Sequence, residues 1–228
     1  MLSLGQLTQG LQSSNFDAEL RNLDIALCMS DFTVIDFMDV ADGRLDIMEA
    51  CSESTKIPNL YFLSAPPVGL PEGTEKSEFK NMFDEIRSEF DYCVIDCPAG
   101  IGMGFTLAHS YADMSIIVTT GDLASMRDAN RTATAVREMG VENLRLIVNR
   151  VIPKNLKQIR TNVDDVIDAV GVQLLGLIPE DKNIFLAAHE ETPLILYRKR
   201  VSAYDFLDAA RRIAGDNVPL QQCKGLLK

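Results

Sequence analysis

From residue 59 to residue 214 the chain alternates short apolar, β-branched runs with stretches whose apolar residues recur at helical spacing. Strands that alternate with helices need crossover connections, and crossovers place the strands in parallel with helices over the sheet. The fold class is therefore α/β, three layers around a mostly parallel sheet. Strands are expected over 59–65, 90–96, 114–120, 144–151 and 173–178. A helix is expected over 75–89, with Phe79, Met82, Phe83 and Ile86 on one face, and a short one over 106–112. Another should place Met126, Ala129, Ala133 and Val136 on one stripe, capped by Ser125 with Asp128 completing a capping box, and stop at Gly140. Val163, Val166, Ile167 and Val170 mark a further helix that ends at Gly171, and a helix over 202–214 is boxed by Ser202 and Asp205. The start of the chain departs from this rhythm. Residues 1–11 read as one amphipathic helix, whereas Gln12, Ser13, Ser14 and Asn15 are polar where an α/β unit would next need a strand.

The most pointed motif is Phe90-Asp91-Tyr92-Cys93-Val94-Ile95-Asp96-Cys97-Pro98-Ala99-Gly100. A buried strand that delivers one carboxylate to its carboxyl end, just before a sharp turn, is how α/β nucleotide hydrolases present a magnesium-ordering acid to a phosphate. Such an acid works opposite a Gly-x-x-x-x-Gly-Lys-Ser/Thr loop, and none occurs in these 228 residues; Lys76-Ser77 lacks the preceding glycine. A net charge of −11 argues against a broad nucleic-acid footprint. The five cysteines form no Cys-x-x-Cys pair, and His109 and His189 stand apart, so neither a metal cage nor a redox pair is indicated. The thiols suggest a reducing, cytoplasmic setting. Met1-Leu2-Ser3-Leu4 lacks the basic flank of a signal peptide, and no apolar run is long enough to span a bilayer.

Several segments occur in the order found in one family: Asp17-Ala18-Glu19-Leu20-Arg21-Asn22-Leu23-Asp24, Asp96-Cys97-Pro98-Ala99-Gly100, Ser125-Met126-Arg127-Asp128-Ala129-Asn130-Arg131, Ile147-Val148-Asn149-Arg150 and Ile178-Pro179-Glu180-Asp181. From about residue 17 to residue 220 the chain resembles MinD-type ATPases, members of the deviant Walker A group that also holds the ParA partition proteins. The resemblance divides the chain into a divergent segment over 1–16, a MinD/ParA-like domain over 17–218 and a tail over 219–228. It implies ATP and magnesium as cofactors. Asp17 would sit on the first switch near the attacking water, Asp96 would order magnesium through water, and a backbone N–H at Gly100 would sense the γ-phosphate. Asn149, of the strand-end Asn149-Arg150 pair, would read adenine, Arg150 would belong to the nucleotide site beside it, and Pro179, Glu180 and Asp181 would close over the base. Asp128 and Arg131 would lie on the dimer and partner face. Lys224, Leu226, Leu227 and Lys228 resemble the start of an amphipathic membrane-targeting tail, too short for more than weak, reversible attachment at the inner face of the cell membrane.

In the family the first strand and phosphate loop precede the helix at which this chain begins, and that strand lies beside the one ending in Asp96. Its loss would leave unpaired backbone there. The loop also supplies most of the electrostatic stabilisation for phosphoryl transfer, so little or no hydrolysis is expected. The implied role is septum placement in cell division, by a homodimer or a heterodimer with an intact homologue, with a division-inhibitor-type protein as partner. An incomplete ATPase chain is the first expectation. The alternatives are a catalytically silent module that pairs with an intact homologue, and a ParA-like or flagellar-number-control relative.

Overall fold

Strand β1 (Leu11–Asn15) runs parallel to two neighbours, β3 (Leu60–Leu63) on one side and β4 (Tyr92–Asp96) on the other, while the two-residue β2 (Ser52–Glu53) pairs antiparallel with β3. The computed structural model describes residues 11–15, 23–27, 29, 35–66, 70–71, 73–97, 100–158, 161–197 and 202–220. These fall into two units, one ending at Tyr111 and one beginning at Ala112. The expectation that the polar segment 12–15 is no strand is corrected by the first unit. Backbone pairing on both sides of β1 supplies what its composition does not, because ladder hydrogen bonds do not depend on side chains. Register sets Asn15 opposite Asp96, so β1 and β4 end at one rim. β4 is the last strand of its sheet and has one neighbour among the described residues.

Helices α1 (Leu23–Leu27), α2 (Phe37–Ala41), α3 (Ile47–Ala50), α4 (Lys80–Glu89) and α5 (Met103–Tyr111) complete this unit. A 3-10 turn, Lys76–Phe79, leads into α4, and the expected face of Phe79, Met82, Phe83 and Ile86 is buried. Those four gather with Phe37, Val40, Ile47, Leu63 and Leu107 into one core. Phe83 stacks on Tyr111 at 4.3 Å, and the Tyr111 hydroxyl donates to the carbonyl of Lys76 at 2.7 Å. These contacts hold α4 and α5 together behind the strand that ends in Asp96.

The second unit is an all-parallel sheet ordered β5 (Ser115–Thr119), β6 (Leu144–Val151), β7 (Leu174–Pro179). Its helices are α6 (Leu123–Glu138), α7 (Pro153–Gln158), α8 (Val163–Val170), α9 (Lys182–His189) and α10 (Ala203–Ile213). The predicted apolar stripes on α6 and α8 are buried, apart from half-buried Ile167, and α8 is boxed by Asn162 and Asp165 and closed by Gly171. Asn130 ties the two helices by donating to the carbonyls of Ala169 and Val170. On β7, a side chain at Gly176 would bring a Cβ to 3.2 Å from that of Ala209, so glycine permits the close seat of α10, where Phe206 and Ile213 pack with Ile147 and Ile178.

Two expected caps differ. Asp122, not Ser125, caps α6, so the Ser125/Asp128 box does not form. The helix starts one turn earlier because the carboxylate of Asp122 accepts the Ser125 N–H. Nor is α10 boxed by Ser202 and Asp205, since the Ser202 hydroxyl donates elsewhere, to Asp181.

Candidate functional site

The first unit carries Asp96 and Gly100. Asp96 closes β4 at the strand's carboxyl end, with its side chain exposed. Gly100 has φ +92, a conformation that costs a residue with a Cβ. Asp17 lies outside the described residues, as do Pro98 and Ala99. Among the described residues no group of three or more His, Cys, Asp or Glu side chains could hold a metal ion. Asp96 offers a single carboxylate, which suits a cation held largely by water and phosphate oxygens more than one caged by protein.

The second unit brings Asn149, Arg150, Pro179, Glu180 and Asp181 together where β6 and β7 end. The register between the two strands slips between Val148 and Val151, and Arg150 in that slip has φ +54, a left-handed conformation that costs a non-glycine residue about 1 kcal/mol. Its backbone N–H donates to Asn149 Oδ1 at 2.9 Å. The Arg150 guanidinium pairs with Glu180 at 2.7 Å, and this hydrogen bond and charge hold its pKa above the ordinary value. Glu180 in turn donates its N–H to the carbonyl of Val151 at 3.1 Å. Asn149, Arg150 and Glu180 thus form one connected corner at the carboxyl ends of parallel strands, where ligands bind in open α/β sheets.

Asp181 has a structural task at the start of α9. Its carboxylate accepts from the backbone and amide nitrogens of Asn183 and from the backbone and hydroxyl of Ser202. Burial raises its pKa, the four donors lower it, and the balance lies below the ordinary carboxylate range. Asp181 therefore caps α9 and ties it to the start of α10, which fixes the loop after Pro179. The sequence marks Ser202 only as a helix cap and does not mark Asn183, for which the Asp-x-Asn spacing at 181–183 is the available signal. The pairing of Ser202 with Asp181, 21 residues away, has no local signal.

On α6, Asp128 and Arg131 point outward, 74% and 75% exposed, with their charged ends 3.9 Å apart. The Ser125/Asp128 capping box does not form, so Asp128 is not held at the helix start. The tail residues Lys224, Leu226, Leu227 and Lys228 lie outside the described residues. Among the described residues no helix is long and apolar enough to cross a membrane.

The septum site-determining protein MinD of Bacillus subtilis is 33% identical over 218 residues, which cover 92% of this chain and 81% of that protein. The chain belongs to the MinD family. Residues 75–223 also match the family described as 4Fe-4S iron sulfur cluster binding proteins, NifH/frxC family. Among solved structures, MinD in the MinC:MinD cell division complex of Aquifex aeolicus superposes with a TM-score of 0.86 at 29% identity, over 96% of this chain and 88% of that one. MinD of Pyrococcus horikoshii, solved with Mg-ADP, shares the fold with a TM-score of 0.76 at 22% identity, over 92% of this chain and 85% of that one. The MinD-like α/β fold of P-loop nucleotide hydrolases and the relationship to septum site-determining proteins are thereby established for this chain.

Proposed function

We propose that this chain serves septum placement as a MinD-family protein that keeps the base-reading end of the nucleotide site while hydrolysing little or no ATP by itself. The observation that carries this reading is the contrast between the two ends of the site. The corner of Asn149, Arg150 and Glu180 is built and internally bonded, whereas no Gly-x-x-x-x-Gly-Lys-Ser/Thr loop exists in the sequence to cradle phosphates. A site with a base corner and no phosphate cradle binds weakly and ignores phosphate number. Titrating the labelled chain with AMP, ADP and ATP and following amide shifts of the β6–β7 corner tests this. Similar, weak affinities for all three are expected, and a tenfold or larger preference for ATP over AMP would sink the proposal.

A second reading concerns partners. The exposed Asp128/Arg131 pair supports a protein-binding role for this face of α6, toward a homologue bearing the phosphate loop or a division inhibitor of the MinC type. In co-purification with such a partner, Asp128→Ala and Arg131→Ala should each weaken capture. Unchanged capture by the double variant would remove this surface from consideration.

A further inference from the structure

The chemistry at the β6–β7 corner goes further than a set of residues near a base, and the following rests on the nucleotide reading above. A side-chain amide has two ends of similar shape and opposite hydrogen-bonding character. Asn149 is half-buried, and its Oδ1 receives the N–H of Arg150 at 2.9 Å. A donor at that distance settles the orientation, because the flipped amide would set NH2 against N–H. The Nδ2 group, with no hydrogen-bond partner among the described residues, is the outer end. The N–H of Arg150 makes this contact from a residue at φ +54. An arginine stays in that conformation only when its surroundings hold it. Here they are the 2.7 Å ion pair to Glu180 and the 3.1 Å bond from the Glu180 N–H to the Val151 carbonyl, both at the far end of the slip between Val148 and Val151.

We propose that Arg150 and Glu180 are positioning residues, a latch across the strand ends that fixes the orientation of the Asn149 amide and with it which purine the site accepts. A fixed amide presents its donor and acceptor in one order. That order suits a base edge with an amine beside a ring nitrogen, as in adenine, and opposes one with a carbonyl in the amine's place, as in hypoxanthine. The guanidinium of Arg150 acts here through its neighbour's amide and not by touching the ligand.

The test compares ADP with IDP on the full chain, by chemical-shift titration, in the unaltered protein and in Asn149→Ala, Glu180→Ala, Arg150→Ala and Arg150→Gly. The unaltered chain should prefer ADP by about fivefold or more, the lower end of what one oriented amide discriminates. Glu180→Ala and Asn149→Ala should bring the ratio close to one by weakening ADP alone. Arg150→Gly should keep more of the preference than Arg150→Ala, because glycine adopts the left-handed backbone without a latch. A guanidinium that touched the nucleotide would make those two variants equal, and that result would overturn the assignment. So would an ADP-to-IDP ratio that stays constant across all variants. Absence of any ADP or IDP binding by the unaltered chain would overturn the nucleotide reading as well, and is distinguishable from both. Without ligand, the Arg150 amide should exchange slowly with solvent and lose that protection in Asn149→Ala, a readout that bulk stability does not move.

Discussion

At the head of α6, Asp122 draws the Thr120 hydroxyl, then the Ser125 N–H and the Ser125 hydroxyl, toward its carboxylate, and these lower its pKa from 3.8 to about 2. The sign of the pH effect follows. The folded form holds the proton less tightly than the unfolded chain, so the stabilisation is complete above about pH 4 and is lost as pH falls through about 2. Asp122→Ala should destabilise the protein by about 1 kcal/mol at pH 7, the usual worth of a helix cap. Chemical unfolding at pH 7 and at pH 2.5 checks it: the gap between variant and parent should shrink at the lower pH. A gap that is equal at both would mean the charge contributes nothing. This cap was visible in the sequence, since Asp122 stands three residues before Ser125, yet Ser125 and Asp128 have the same spacing and compete for the assignment. Geometry decides between the Asp122 cap and the Ser125/Asp128 box. The Arg150–Glu180 pair, 30 residues apart, carries no local signal at all.

Elements were legible in proportion to their period. Phe79, Met82, Phe83 and Ile86 identify their helix, and Val163, Val166 and Val170 theirs, because each set covers two turns of one buried face. β1 was not legible. Its Gln-Ser-Ser-Asn stretch has neither the alternation nor the branched side chains of a strand, and its place between β3 and β4 is a tertiary fact. Residues 35–53 gave no reading either, since helices of five and four residues are too short to show a repeat. A dependence on faces more than on propensity makes a prediction for α4. Met82 is fully buried in the core with Phe37 and Phe79. Met82→Ala should cost about 2–5 kcal/mol, read as a lower urea midpoint with an unchanged slope. A loss below about 1 kcal/mol would show that the core around α4 collapses onto the vacated volume.

For the chain as a whole, family membership and catalytic competence come from different residues. The fold that places it with MinD rests on the core of each unit taken by itself, with Asp96 at a strand end in the first and Asn149 and Glu180 at strand ends in the second. Phosphoryl transfer requires in addition donors aimed at charge that develops on the transferring group, and this sequence has no glycine-lysine loop to supply them. One such donor typically contributes about 10²- to 10³-fold in rate, so a chain without the loop should release phosphate from ATP at least about 10²-fold more slowly than a loop-bearing MinD under the same conditions. The assay must include a variant control, because trace contaminating ATPase gives the same signal. Asp96→Asn should leave the residual rate unchanged if the chain contributes none of it. A residual rate that falls with Asp96→Asn would show that the carboxylate at the end of β4 still orders a reacting nucleotide, and that the phosphate end is completed by residues other than a glycine-lysine loop.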